Sequence, residues 1–419
     1  MGSEISRSVV TNEGIKKKSK EKKSTSKNHH EKVKEPDAVT ASPAVTPFKN
    51  PPHQQANSWK SSDRTVLETN HLSTAKMETP TMLSPDGVST PNGGASLLME
   101  AMIAATKESI NDLKMDASDV VIDATKKLFE MVDEAWSTPK YGRDLAYGIS
   151  DTLRTDGGLD VILANCKSEI IDLKECSAKL LEQIMTSENR DYVVKHGLDS
   201  VVKLACCRKD TKLLQIGMGI LENLFKHSED TCTKVIDRGG LQAVLYTCRM
   251  SDNITLRHCA MALANCSMYG GPSNQQRMIE ARTSEWLFPL AFSGDPSIRY
   301  YACLAVAVLV ANHDIERQVV SSGTLELVEP FVTSHDPGMF AKSDKAHAQG
   351  RSEGWLKRLM PLLDSTRREA KCLAAFHFAM EAIVKEEQGR TKVKYSQKVE
   401  DLGCEGVLTC KVAWMALVK

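Results

Sequence analysis

A glycine followed by a leucine recurs along the chain, and each time it opens a stretch of helix-forming residues. It reads Gly157-Gly158-Leu159-Asp160-Val161, then Gly197-Leu198-Asp199-Ser200-Val201, then Gly239-Gly240-Leu241-Gln242-Ala243-Val244. It returns as Gly323-Thr324-Leu325-Glu326 and fades into Leu402-Gly403-Cys404-Glu405. Leu159, Leu198, Leu241 and Leu325 lie one, one and two periods of roughly 42 residues apart. A period of that length belongs to armadillo-type repeats, three-helix units that bury their apolar faces only by stacking on one another. The expected fold class is all-α, an armadillo-repeat right-handed superhelix of about seven to eight repeats with a long disordered N-terminal tail.

The unit can be followed residue by residue. It opens with a polar cap, runs through an apolar helix, breaks, and restarts at the glycine-leucine mark. Asp252-Asn253-Ile254 leads into Cys259-Ala260-Met261-Ala262, Asp295-Pro296-Ser297 into Ala302-Cys303-Leu304-Ala305, and Asp364-Ser365-Thr366 into Cys372-Leu373-Ala374. The matched alanines let neighbouring helices approach, and a left-handed glycine lets the next helix leave at a steep angle. Between Leu241 and Leu325 one mark is missing, and Trp286-Leu287-Phe288-Pro289-Leu290 stands in its place. Order is expected from about Ala95, with Asp116 or Ser118 capping the second helix. The polar stretch His335 to Gly354 is expected to be an insertion loop before Trp355 to Leu363.

Three segments follow from this reading: a Lys/Ser/Pro-rich tail over 1–94, an armadillo domain over 95–410, and a divergent end over 411–419. The tail holds too few large apolar residues to offset the entropy of ordering. Its start, Met1-Gly2-Ser3-Glu4-Ile5-Ser6, fits the N-myristoylation pattern with Gly2 as acceptor, and Lys16-Lys17-Lys18-Ser19-Lys20 offers the polybasic second signal that one acyl chain needs. Read so, the chain is cytoplasmic with a membrane-surface partner; read plainly, the tail is solvated and basic.

Elsewhere the composition excludes more than it suggests. Basic and acidic residues balance at 54 each, which argues against a nucleic-acid partner. The twelve cysteines form no CxxC pair and read as reduced, mostly buried thiols, so no metal is expected. The longest apolar run, Ala302 to Ala311, has about half the length of a spanning helix. No nucleophile–base pair, phosphate loop or metal cluster has usable spacing, so no catalytic residue is assigned.

Several strings go beyond a generic armadillo repeat. They include Asp133-Glu134-Ala135-Trp136 with Gly142-Arg143, Leu180-Leu181-Glu182-Gln183-Ile184 with Glu188-Asn189-Arg190-Asp191, Phe225-Lys226-His227-Ser228-Glu229, and Glu285-Trp286-Leu287-Phe288-Pro289. Together they resemble the armadillo region of the sterile-alpha-and-TIR-motif NAD hydrolases, in order, over roughly 95 to 410. The resemblance implies an autoinhibitory, nucleotide-sensing region of an enzyme active in axon degeneration and innate immunity. In that family NAD, bound in an armadillo pocket, favours the inhibited form and nicotinamide mononucleotide favours release. The implied partners are sterile-alpha-motif domains and a TIR domain whose glutamate cleaves NAD. No stretch up to Lys419 resembles either, so the catalytic glutamate is expected to be absent, whether the sequence is an isoform, a fragment or an incomplete gene model.

Carried across residue by residue, the resemblance implies a pocket in which Trp136 stacks on the nicotinamide ring. Arg143, Arg190 and Lys226 would face phosphate or ribose oxygens, Glu182 and Gln183 would supply polar contacts, and Arg351 would reach in from the insertion loop. The chemistry suits the ligand: an indole face attracts a cationic ring, and guanidinium groups grip phosphates in a planar fork. Helix N-termini along the concave face offer further anion-binding amides. Asn223 stands where vertebrate relatives carry histidine, and Ser352-Glu353-Gly354-Trp355 departs from the family loop. Without the resemblance, Trp136 reads as packing, the arginines as solvated charges, and Glu182 and Gln183 as solvent-facing. A peptide-binding armadillo scaffold without nucleotide control is the other reading; Asn265 and Asn312 fit its groove asparagines, although both also read as structural helix-end groups.

Overall fold

In a computed structural model the structure describes residues 93–138, 141–250, 252–343 and 353–387. The first helices are α1 (Gly93–Leu113), α2 (Ser118–Ser137), α3 (Gly142–Thr155) and α4 (Gly158–Asn165). Then come α5 (Ile171–Gln183), α6 (Ser187–His196), α7 (Leu198–Ala205), α8 (Thr211–Phe225), α9 (Glu229–Asp237) and α10 (Gly240–Thr247). The second half holds α11 (Asn253–Tyr269), α12 (Gly271–Glu280), α13 (Thr283–Ala291), α14 (Pro296–Val310), α15 (Glu316–Ser321), α16 (Val328–Ser334), α17 (Pro337–Ser343), α18 (Glu353–Leu359) and α19 (Arg368–Glu387). Short 3-10 turns at Thr324–Leu327 and Met360–Asp364 precede α16 and α19.

These elements form an armadillo stack. The long helices pack in succession, α2 on α5, α5 on α8, α8 on α11, α11 on α14 and α14 on α19, with the shorter pairs bridging between them. Cap residues start the long helices as the repeat pattern requires: Asp210, Asp252 and Asp295 each accept backbone N–H bonds from the first turn of α8, α11 and α14. The apolar run inside α14 is buried on every side, from Ala302 through Val310. Seven of the ten cysteines in the described residues are buried, and all ten are free thiols. Among the described residues no helix is long and apolar enough to cross a membrane.

The glycine marks work by two different means. Gly157, Gly239 and Gly323 precede α4, α10 and the 3-10 turn with φ of 81°, 86° and 72°, the left-handed conformation glycine reaches without strain. Gly197, before α7, has φ of −139° and is not left-handed. It is small for another reason: a Cβ there would stand 2.7 Å from a Leu163 methyl.

The unit lacking its glycine fills the same joint with Arg282, at φ 60°. A side chain in that region costs roughly 1–3 kcal/mol. Arg282→Gly is therefore expected to stabilise the stack by about 1 kcal/mol, after the extra unfolded-state entropy of glycine is deducted. A lower urea midpoint would show that the exposed Arg282–Glu285 ion pair, at 2.6 Å, outweighs the strain.

Two local expectations are corrected. Helix α2 is preceded by extended Ala117 with no side-chain cap, so neither Asp116 nor Ser118 caps it. The expected insertion loop is helical in its first part, because Asp336 caps α17 through the Met339 N–H at 2.9 Å and Phe340 and Ala341 are buried. The domain end near 410, Gly2, the basic tail and positions 344–352 of the loop, with Arg351, lie outside the described residues.

Candidate functional site

Four successive long helices line a cleft of about 350 Å3. Helix α2 gives Trp136 from its last turn, and α5 gives Glu182 and Gln183 from its last turn. Helix α8 gives Glu222 and Asn223, with Lys226 at its C-cap, and α11 gives His258 and Met261. Solenoid stacking explains the convergence: residues about one period apart in sequence meet on one face. The lining residues of α2, α5 and α8 sit where helix carbonyls, not amides, are exposed. This corrects the expectation of anion-binding helix N-termini there, because carboxyl ends favour cations. It suits a positively charged ring, and Lys226 adds an ammonium to the same lining.

The indole of Trp136 is half-buried and its Nε1–H donates to the Gln183 carbonyl at 3.4 Å. Tyr147 packs edge-on against it with ring centroids 6.0 Å apart, and the Arg143 guanidinium lies 5.3 Å above the Tyr147 ring. The carboxylate of Glu182 lies on the bare backbone of α8 at Gly219, where a Cβ would overlap it. Asn223 donates to the Gly219 carbonyl at 3.0 Å, and buried Asn265 donates across to the Glu222 carbonyl at 3.0 Å, tying α8 to α11.

His258 stands between two acids. Its Nδ1 is 2.9 Å from Glu222 Oε2 and its Nε2 is 3.7 Å from Glu182 Oε1. Burial is the strongest influence on the imidazole and opposes charge, yet the Glu222 hydrogen bond and the charges of Glu222 and Glu182 together hold its pKa above the usual value. Burial pushes Glu182 up to about 7, with the Glu222 charge adding to it and His258 and Lys179 opposing it.

The shift on Glu182 makes stability depend on pH. From pH 4.5 to about 7 the folded state holds a proton on Glu182 that the unfolded chain has released, so stability falls as pH rises through that window. Above it the burial penalty is on the order of 3 kcal/mol, since each pKa unit is about 1.4 kcal/mol. Glu182→Gln should therefore raise the thermal midpoint near pH 8 by a few degrees and leave it unchanged near pH 4. An equal effect at both pH values would show that the Glu182 charge carries no such penalty.

The cleft brings together four of the seven residues carried over from the family: Trp136, Glu182, Gln183 and Lys226. Arg143 stands behind Tyr147. Arg190 donates from Nη1 to the Met185 carbonyl at 3.1 Å, and its Nε is buried with no hydrogen-bond partner. Burial lowers the Arg190 pKa, against the fields of Tyr147, Tyr269, Glu188 and Asp191. Arg351 lies outside the described residues. Glu222, His258 and Met261 line the cleft without having been singled out in the sequence. A signal for two of them was present: Glu222 is 40 residues after Glu182 (222 − 182), and His258 is 36 after Glu222. Among the described residues no group of His, Cys, Asp and Glu has a geometry that holds a metal ion.

Fold and cleft together define an armadillo-repeat protein with a charged, aromatic-walled pocket on its long helices. No family model matches the chain. Among curated proteins it is 53% identical over 300 residues to the NAD(+) hydrolase sarm1 of Drosophila melanogaster, covering 70% of this chain and 22% of the relative. It is 45% identical over 322 residues to NAD(+) hydrolase SARM1 of Danio rerio, covering 75% and 45%. It is 34% identical over 286 residues to NAD(+) hydrolase tir-1 of Caenorhabditis elegans, covering 65% and 29%. These matches place the stack in the SARM-type NAD(+) hydrolase family as its armadillo region. The chain spans less than half the length of these relatives. Among solved structures, an engineered protein (Northeast Structural Genomics Consortium target OR497) aligns with TM-score 0.51 at 20% identity, covering 71% of this chain and 72% of that one. A designed armadillo repeat protein, YIII(Dq)4CqI, aligns with TM-score 0.48 at 16% identity, covering 66% and 99%.

Proposed function

We propose that this armadillo region is the autoinhibitory, nucleotide-sensing part of a TIR-domain NAD(+) hydrolase, and that the cleft between α2, α5, α8 and α11 is its sensor. The observation that carries this reading is the convergence of Trp136, Glu182, Gln183 and Lys226 on one cavity. The indole face takes the nicotinamide ring, Lys226 takes a phosphate, and the carboxyl helix ends and acidic side chains favour the ring's positive charge. NAD and nicotinamide mononucleotide then act by differential affinity: the ligand that prefers the inhibited arrangement populates it, and the other releases it. The partners in this reading are the sterile-alpha-motif and TIR domains of the whole enzyme, and the setting is its role in axon degeneration and innate immunity. Gly2 acylation with the basic tail would add a membrane surface.

The peptide-scaffold reading loses its main support. Asn265 is committed to the Glu222 carbonyl, and Asn312 donates to Gln275 Oε1 at 2.7 Å while accepting from the Asp314 N–H.

The test is calorimetric titration of the whole chain with each nucleotide. Binding of either is expected, and Trp136→Ala and Lys226→Ala should each weaken it by about tenfold or more while the stack stays folded, since each removes about one charge or ring contact. Absence of binding by both ligands to a folded sample would sink the sensor reading.

A further inference from the structure

One end of the cleft concentrates ionisable groups from three helices. From α5 come Glu182 and, a turn earlier, Lys179. From α8 come Glu222 and, at the C-cap, Lys226. From α11 comes His258, with Arg257 beside it and Asp252 at the helix cap within electrostatic reach. His258 bridges the two acids, at 2.9 Å from Glu222 and 3.7 Å from Glu182. The Glu182 carboxylate is seated against α8 at Gly219. When all three are charged, two negative groups and one positive one share a partly desolvated space.

A diphosphate entering such a space meets two carboxylates, and their repulsion is strong where water is scarce. The repulsion falls most readily if one carboxylate accepts a proton. We propose that Glu222 and His258 are ligand-selecting residues of this cleft, and that with Glu182 they take up a proton when the diphosphate of a dinucleotide enters beside Lys226. This rests on the reading of the cleft as a nucleotide site. Burial sets Glu182 to ionise near neutral pH, so it is the group that accepts the proton, and the field of the ligand completes its protonation. His258, already biased toward its charged form, stays protonated and faces the anion. Lys179 and Arg257 oppose proton uptake, while Asp252 favours a charged His258; none of the three lines the cavity.

The experiment is calorimetric titration of the whole chain with NAD at about pH 6 and about pH 8, each in two buffers of different ionisation enthalpy. NAD is the probe because a phosphate monoester titrates near pH 6 on its own account. Affinity is expected to be about fivefold higher at the lower pH, the linkage that follows over this range when binding raises a pKa near 7 by roughly one unit. The heat should differ between buffers in the sense of proton uptake. Glu182→Gln, which keeps the shape of the side chain, should still bind NAD but flatten the pH dependence to within about twofold. Glu222→Gln should move its midpoint to lower pH, since the charge that raises Glu182 is gone. NAD binding of equal strength at both pH values, with no buffer-dependent heat, overturns the inference and leaves the nucleotide sensor standing. So does binding that strengthens as pH rises, or a Glu182→Gln profile identical to the parent. Absence of NAD binding at either pH defeats the sensor and the inference together.

Discussion

Replacing Gly217 by alanine is expected to destabilise the stack by about 2–3 kcal/mol, against the sign that helix propensity alone gives. Gly217 lies inside α8, where alanine ordinarily gains close to 1 kcal/mol over glycine. Here the added Cβ would stand 2.5 Å from the Ala205 Cα and 2.6 Å from the Ala205 N at the end of α7. Both are backbone atoms, so no side chain can swing aside; α7 and α8 must separate. Overpacking of that kind costs more than the propensity gain. Because each unit of a solenoid touches only its neighbours, the loss falls on one joint and weakens the coupling between the units before and after it. Urea unfolding followed by circular dichroism should show a lower midpoint and a broader or split transition. A midpoint equal to or above the parent's would mean that the two helices have slack the contact distances deny.

Gly219, two residues further along the same helix, gives the contrast. There the obstructing group is the end of a flexible side chain, the Glu182 carboxylate. Gly219→Ala should leave the midpoint close to the parent's and instead push Glu182 out of its seat. The change would then appear in nucleotide affinity and its pH dependence. Two glycines on one helix thus serve different ends: the first sets how closely two helices stack, the second sets the shape of the cleft wall.

The sequence made the architecture legible because a solenoid writes its period directly into the chain. Capping aspartates, small residues at close approaches and glycines at joints recur at matched places, and Asp252, Asp295, Gly157 and Gly239 occupy the positions the pattern assigns them. What escaped was local. Arg282 fills a left-handed joint that the pattern reserves for glycine, and nothing in its identity announces that conformation. Polar His335 to Gly354 concealed α17, because one cap at Asp336 and three buried residues, Pro337, Phe340 and Ala341, suffice to fix a helix of seven residues. The cleft was legible only where the family strings pointed. Trp136, Glu182, Gln183 and Lys226 could be named from those strings, and the stack does bring them together. Arg143 and Arg190 carry the right chemistry, but Tyr147 and the Met185 carbonyl hold their guanidinium groups outside the lining. Glu222 and His258 went unnoticed because, taken singly, an acid and a histidine on helices read as surface groups. Their meaning lies in the pairing across α8 and α11, which is a property of the stacking register.

The register near the cleft depends on one buried amide, and the second large effect is expected there. Asn189, fully buried near the start of α6, donates from Nδ2 to the Ile184 carbonyl at 2.8 Å and to the Ser150 carbonyl at 3.1 Å. Its own N–H is received by the Thr186 hydroxyl, which caps α6. One side chain thereby joins the end of α5, the body of α3 and the start of α6, next to Gln183, whose carbonyl receives the Trp136 indole. Asn189→Asp nearly preserves the shape and removes both donated hydrogens. A carboxylate would then face two carbonyl oxygens in a buried place, an arrangement that costs on the order of 3–5 kcal/mol when the charge has no partner. The variant can escape by holding a proton, so its carboxyl pKa should rise in the folded state. The sign follows: between the ordinary aspartate range and the raised value the folded state binds the extra proton, and the variant loses stability as pH rises through that window. Its urea midpoint should lie well below the parent's near pH 8 and recover in part near pH 5, where a protonated Asp restores one of the two donations. Where the variant remains folded, nucleotide affinity should drop as well, because the last turn of α5 carries Glu182 and Gln183 and is no longer pinned. A midpoint that matches the parent's near pH 8 would show that the two carbonyls are satisfied by other means and that Asn189 does not hold the joint.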